Sequence, residues 1–298
     1  MTDTTVTLTL AQSRNKKLAF LALVVSMILW GVAFAALKVV LRQIGPFTVN
    51  VLRFVIALMV LTPFAMREGY RFSIAVRPNF LLYGFTGIFL GFSLQNVGMV
   101  FSSAANAALI DAGQAALVVL LSFVILKERL TSKRLLGVLI STAGVLMITL
   151  SKESLQSPSS LIGNLFLIAG ITAWAVYVIQ GKVLVEKHSS LVVTTASFQA
   201  GLLFLIPVAL LELLLQGVPR MTTGIILPLI YLGIGPSAVA FYLWNYGLRH
   251  VDAAVAAPFM NLIPVIGIAS AAMIGETISL YQIVGGAVVI SGVWLCSK

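Results

Sequence analysis

The sequence predicts an all-α integral membrane protein with ten transmembrane helices, arranged as two inverted five-helix repeats. Three observations predict it. Of 298 residues, 60% are hydrophobic and 9% are charged. A soluble domain of that length has too small a core to hide so much apolar surface. The apolar residues also fall into ten runs, each long enough to cross a bilayer as a helix. Lastly, the second half of the chain repeats the first in order.

The runs are residues 18–40, 47–66, 79–98, 103–126, 134–150, 161–181, 191–215, 224–248, 252–275 and 280–297. Each must be helical, because backbone groups in hydrocarbon need partners within their own segment. The first run follows Arg14, Lys16 and Lys17, as a signal-peptide core would. At helical rise it spans about 35 Å, which is too long for such a core and enough to span the membrane. Residues 1–15 are polar and aperiodic and read as a mobile cytoplasmic tail. Breaks fall at Gly45-Pro46, Arg77-Pro78, Lys133-Arg134, Ser157-Pro158, Gly217-Val218-Pro219 and Gly275-Glu276. The expected organisation is a first repeat at 16–150, a periplasmic linker at 151–160 and a second repeat at 161–298.

The repeat is clearest around Ser103 to Leu130, which returns from Asp252 onward. At an offset of 144, Trp30 matches Trp174, Lys38 matches Lys182, Phe54 matches Phe198 and Pro63 matches Pro207. At 149, Gly84 matches Gly233, Phe92 matches Phe241, Asn96 matches Asn245 and Gly98 matches Gly247. At 148, Glu128 matches Glu276, Gly137 matches Gly285 and Gly144 matches Gly292. Ordered matches of Trp, Asn, Pro and Glu do not arise from shared apolar composition.

Five helices per repeat is an odd number, so the two repeats enter the membrane from opposite sides. With a cytoplasmic N-terminus, the outside holds only Lys38, Arg42, Lys152 and Arg220 of the 19 Lys and Arg residues. Arg53 lies within helix two, and the rest are inside, as the positive-inside bias requires. The cation-rich stretch Lys127 to Arg134 becomes the cation-free Glu276 to Tyr281 in the second copy. The net charge of +10 therefore marks a cytoplasmic membrane surface, not a nucleic-acid site. Both termini are expected in the cytoplasm. Two similar halves related by an in-plane axis give two near-equivalent states, one open to each side, with substrate near the midplane.

Several classes are disfavoured. An intramembrane enzyme needs a nucleophile with a base, or a metal cluster, at depth. His188 and His250 fall in expected loops, and Cys296 is the single cysteine. No Gly-rich Lys-Ser/Thr phosphate loop is present, so nothing points to ATP or any other cofactor. A receptor has no need of an inverted repeat. A nucleotide-sugar carrier would show cations in its cavity, and the sequence reading places none at the midplane.

Certain residues carry a family likeness. They are Trp30-Gly31, Leu52-Arg53-Phe54, the run Ala104 to Ala108 leading to Lys127-Glu128-Arg129-Leu130, and Gly137 with Gly144. The second copy adds Trp174, Asn261-Leu262-Ile263-Pro264-Val265, Gly275-Glu276 and Gly285 to Gly292. From about residue 18 to 297 the chain resembles the EamA-type branch of the drug/metabolite transporter superfamily. It is most similar there to exporters of aromatic and other amino acids of the YddG type. One departure is Ala115, which stands where the second copy has Pro264. The resemblance implies ten helices and export of small metabolites across the bacterial inner membrane.

Candidate site residues follow from depth and helical facing. Trp30 lies about 18 Å from the inner end of its helix, and Trp174 is similarly deep, away from the interfacial belt that tryptophan prefers. They either wall a cavity or pack the halves together. Tyr177 shares a face with Gly170, Trp174 and Gly181, and Phe89 shares one with Phe85, Phe92 and Asn96. Phe241 is the counterpart of Phe92. Pro258 and Pro264 interrupt helix nine and free carbonyls along a substrate path or simply kink it. Asn96 and Asn245, at equivalent helix ends, are expected either to latch gates or to cap carbonyls.

Asp111 and Gln114 lie on a small polar face with Ala104, Ala107, Ala108, Ala115 and Ser122. An intramembrane acid is costly and usually functional. Asp111 has three candidate roles: carrying a coupling proton, binding a substrate amino group, or pairing with Arg53. By default Arg53 snorkels outward. Glu212 reads as interfacial, and Glu128 and Glu276 as structural bonds to neighbouring loops. The small faces of helices five and ten suit close intramolecular packing.

Overall fold

A computed structural model describes residues 2–41, 43–101, 104–129, 131–149, 161–263, 265–266 and 280–297. These are helical with short connections. Six helices are long and apolar enough to cross a membrane: Asn15–Ala33, Pro46–Arg67, Pro78–Gly98, Leu165–Lys187, Ser190–Gln216 and Thr223–His250. Gly113–Ile125 and Ile283–Gly292 are shorter apolar helices.

The first helix, α1, runs from Thr2 to Val40. Residues 2–15, expected as a mobile tail, thus continue the helix; they contain neither Gly nor Pro to stop it. Helix α2 (Pro46–Arg67) begins on a proline, whose missing N–H is harmless at a helix start. After a one-turn helix α3 (Phe72–Ala75) comes a composite rod. It consists of α4 (Pro78–Tyr83), a π-helical segment Gly84–Gly91 and α5 (Phe92–Phe101). Helices α6 (Ala104–Ile125) and α7 (Ser132–Thr149) complete the first half.

The second half repeats the pattern with α8 (Leu161–Lys187) and α9 (Ser190–Gln216). Its own composite rod is α10 (Thr223–Leu232), a π segment Gly233–Val239 and α11 (Ala240–His250). Short α12 (Ala253–Ala256) tightens into a 3₁₀ turn at Ala257–Asn261, and α13 spans Leu280–Ser297. Both π segments begin at the matched pair Gly84 and Gly233. Long π-helical runs are rare and concentrate at functional sites. In the second, Pro236 lacks an N–H and Ser237 Oγ donates 2.8 Å to the Leu232 carbonyl five residues back.

Contacts between the halves are reciprocal. A β-carbon on Gly247 would lie 2.5 Å from Leu23, and one on Gly98 would lie 2.7 Å from Leu167. Leu23 and Leu167 are equivalent at the offset of 144. Thus α1 crosses α11 as α8 crosses α5. Likewise, a β-carbon on Gly144 would meet the Gly285 carbonyl at 2.7 Å, and one on Gly292 would meet the Gly137 carbonyl at 2.7 Å. Helices α7 and α13 therefore touch backbone to backbone through the small faces read from the sequence, within one chain.

Polar ties within each half repeat as well. Asn96 Nδ2 donates to Asn50 Oδ1 (3.3 Å) and to the Pro46 carbonyl (3.3 Å). Asn245 Nδ2 donates to Thr194 Oγ1 (2.9 Å), and Thr194 is the counterpart of Asn50. Each asparagine holds its rod to the preceding long helix.

Candidate functional site: an aromatic cavity between the halves

A small cavity opens between the halves. Its walls are Trp30, Ala33 and Leu37 of α1, Arg53 of α2, Phe92, Gln95 and Asn96 of α5, and Gln114 of α6. The second half adds Trp174 of α8 with Met260 and Ile263. The two tryptophans meet edge to face with ring centres 5.9 Å apart. Phe92 abuts Trp174 at 5.5 Å, also edge to face. Edge-to-face pairs suit the ring quadrupoles and hold the walls at fixed angles. Phe241 is fully buried and touches Trp30 at 5.2 Å and Trp174 at 5.7 Å, so it backs the wall without lining it. Trp30 Nε1 donates 2.9 Å to the carbonyl of Pro236 in the second π segment. Among the described residues no group accepts from Trp174 Nε1, which is buried.

Of the residues chosen from sequence, Trp30, Phe92, Asn96, Gln114 and Trp174 come together on this cavity. Phe89 does not. It packs against Phe204 of α9 with ring centres 6.0 Å apart, beside Phe85 at 5.4 Å. The spacing that put Phe89, Phe92 and Asn96 on one face assumed 3.6 residues per turn, and the π segment up to Gly91 changes that period. Tyr177 is fully buried, stacks flat on Tyr83 at 4.0 Å and packs behind Trp174 at 4.9 Å without lining the cavity. Pro264 and the Asp111 side chain lie outside the described residues, as does Glu276; the Asp111–Arg53 pair falls there too.

Arg53 corrects the sequence reading. It neither snorkels nor leaves the cavity free of cations: it is 3% exposed and part of the cavity wall. Nε donates 2.8 Å to Ser237 Oγ of the second π segment. The guanidinium lies over Phe54 at 5.2 Å and Phe92 at 5.1 Å. Such faces attract a cation. An arginine within a long apolar helix is a functional signal by itself, and that signal was available in the sequence. Glu212 is likewise buried rather than interfacial. Its carboxylate accepts from Thr48 N (2.7 Å), Thr48 Oγ1 (2.7 Å) and Phe47 N (3.4 Å).

Hydrogen bonds and an ion pair cross the opposite end of the bundle. Tyr83 Oη donates to Asn245 Oδ1 (3.2 Å) below the tyrosine stack. Lys182 Nζ donates to the carbonyls of Leu248 (2.9 Å) and Val251 (3.0 Å), where a cation suits a helix C-terminus. Glu128 accepts from Ala253 N and Ala254 N, both at 2.9 Å, and Arg134 pairs with Asp252 at 2.8 Å. Among the described residues no three His, Cys, Asp or Glu side chains gather as metal ligands would.

The profile of the EamA-like transporter family matches residues 17–150 and again 161–298. The chain belongs to the EamA-like transporter family. It is thus a multi-pass membrane protein and a secondary transporter rather than an enzyme. Two matches of one family domain agree with a repeat. A Salmonella typhimurium protein described as a "probable amino-acid metabolite efflux pump" is 28% identical, over 94% of this chain and 95% of its own. A "probable terminal-alkyne amino-acid exporter" of Streptantibioticus cattleyicolor is 29% identical, over 93% and 92%. The uncharacterized transporter YetK of Bacillus subtilis is 28% identical, over 93% and 86%. A solved crystal structure superposes with a TM-score of 0.80 at 22% identity, covering 95% of this chain and 96% of that one, a likeness of fold alone.

Proposed function

We propose that this EamA-family transporter exports amino acids and related small metabolites, aromatic ones included, from the bacterial cytoplasm by alternating access. The observation that carries the reading is the cavity between the halves, walled by the matched tryptophans Trp30 and Trp174. Apolar and aromatic walls with a few polar groups suit a small amphipathic solute. The names of the amino-acid exporters among its relatives support that substrate class. The reciprocal Leu–Gly and Gly–Gly contacts support two inverted five-helix repeats, 16–150 and 161–298, with ten spans in all. In that orientation the cavity lies toward the outer ends of α1 and α5, and the end tied by Tyr83, Tyr177 and Asn245 is the closed cytoplasmic gate. A proton remains a candidate coupling ion.

Purified protein in liposomes loaded with radiolabelled phenylalanine is expected to release it faster than protein-free vesicles, and unlabelled aromatic amino acids are expected to compete. Trp174→Ala should cut that rate roughly tenfold per folded molecule, since an aromatic wall contact with the solute is worth about 1–1.5 kcal/mol. Normal turnover per folded molecule in that variant would return Trp174 to a packing role. For topology, a reporter active only in the periplasm should be active when fused after Ser157 and silent after Arg71. The reverse pattern would invert the orientation.

A further inference from the structure

We propose that Arg53 is the anion-binding residue of the cavity and takes the carboxylate of the transported solute; this rests on the transporter reading above. A buried guanidinium inside an apolar bundle needs hydrogen-bond acceptors and a counter-charge. Among the described residues Arg53 has one acceptor, Ser237 Oγ, on its Nε. No hydrogen bond or ion pair to a described residue uses its two η-nitrogens, and neither is among the fully enclosed unpartnered atoms. Arg53 itself lines the cavity.

The orientation is set from both sides. Ser237 Oγ gives its proton to the Leu232 carbonyl, which leaves its lone pairs for Arg53 Nε. Phe54 and Phe92, whose ring centres are 5.4 Å apart, flank the group together from one side at 5.2 and 5.1 Å. A guanidinium fixed at Nε and on its face presents the remaining edge, whose parallel N–H bonds match a planar carboxylate. The rest of the wall suits an apolar group attached to that carboxylate: Phe92, Trp30, Trp174 and Met260. The site is also coupled to the fold. Ser237 belongs to the second half's π segment and Arg53 to the first half, so an anion on Arg53 binds where the two halves meet.

Binding to detergent-purified protein separates the parts of the solute. Four probes share one ring: L-phenylalanine, 3-phenylpropionate without the amine, phenethylamine without the carboxylate, and phenyl phosphate. Phenylalanine and phenylpropionate are expected to raise the thermal midpoint of the wild type, and phenethylamine is not. Arg53→Gln should weaken carboxylate binding by roughly ten- to a hundredfold, the loss of a charge-assisted pair, and Arg53→Lys should keep part of it. Ser237→Ala removes the Nε acceptor and the bond to the Leu232 carbonyl but no charge, and should weaken the two carboxylate probes while leaving phenethylamine unchanged.

Equal protection by phenethylamine, unchanged carboxylate preference in folded Arg53→Gln, or no protection by either carboxylate would overturn the assignment. Tighter binding of phenyl phosphate would replace carboxylate with phosphate as the ligand. If Arg53→Gln fails to fold and a second change of Asp111→Asn restores it, the guanidinium serves an internal pair and the assignment fails. Liposome transport is scored separately. Release of phenylalanine without carboxylate selectivity sinks only the Arg53 assignment, and carboxylate-selective binding without release sinks only the amino-acid export reading.

Discussion

Gly292→Val is expected to leave little folded protein, while Gly113→Ala folds at least as well as the wild type. At Gly292 a β-carbon would sit 2.5 Å from Ser141 N and 2.7 Å from the Gly137 carbonyl. Both are backbone atoms of α7, so no side chain can turn aside, and α13 must move away bodily. Overpacking a core that can adjust costs about 1–3 kcal/mol. Here the loss should reach about 3 kcal/mol or more, because the helix contact itself is the thing removed. Gly144→Val should do the same from the other side, against the Gly285 carbonyl and Val289 N at 2.7 Å. The double variant should be little worse than either single one, since the contact is shared. At Gly113 the nearest atom to a new β-carbon is Ile171 Cδ1 at 3.7 Å, an ordinary contact. Alanine there gains roughly 1 kcal/mol of helix propensity. Size-exclusion profiles and thermal midpoints in detergent decide it; a Gly292→Val protein that melts with the wild type would place the α7–α13 contact elsewhere.

That interface was legible in sequence because it is built from residue type alone. Small residues at helical spacing, repeated at one offset, meet whatever lies between them. The helix starts were legible for a similar reason: Pro46 and Pro78 open α2 and α4, as a residue without an N–H should. Trp30 and Trp174 stood out because tryptophan so deep in the bilayer is out of place.

What could not be read depends on geometry between distant segments. Phe89 was misplaced because no local pattern announces that Gly84–Gly91 winds as a π helix. The burial of Arg53 depends on Ser237, 184 residues away, and that of Glu212 on Thr48, 164 residues away. A charged side chain near a helix end looks interfacial until the chain that covers it is known.

Glu212 also shows how the two copies have diverged, and the largest polar effect is expected there. The second copy starts its long helix α9 after Ser189, whose Oγ accepts from Val192 N at 3.3 Å. At the offset of 144 the first copy has Gly45, which has no side chain to cap α2. Glu212 reaches across from α9 and takes the role, with its carboxylate carbon 2.2 Å from where a Gly45 β-carbon would be. Its counterpart Glu68 is exposed. Glu212→Ala should therefore leave Thr48 N and Thr48 Oγ1 unpaired in a buried place. That should lower stability by about 2–6 kcal/mol in all, at roughly 1–3 for each of the two orphaned groups. Glu212→Gln keeps an acceptor and should recover part of this, without the attraction of a carboxylate to a helix N-terminus. Glu68→Gln should stay within about 0.5 kcal/mol of the wild type. Gly45→Ser supplies the sharper test. In the wild type it collides with Glu212 and should destabilise; in the Glu212→Ala background it restores the local cap that the second copy uses and should stabilise. Thermal midpoints of the four proteins in this cycle measure the sign change. If Gly45→Ser acts alike in both backgrounds, Glu212 does not cap α2, and its place is the interface that the sequence first suggested.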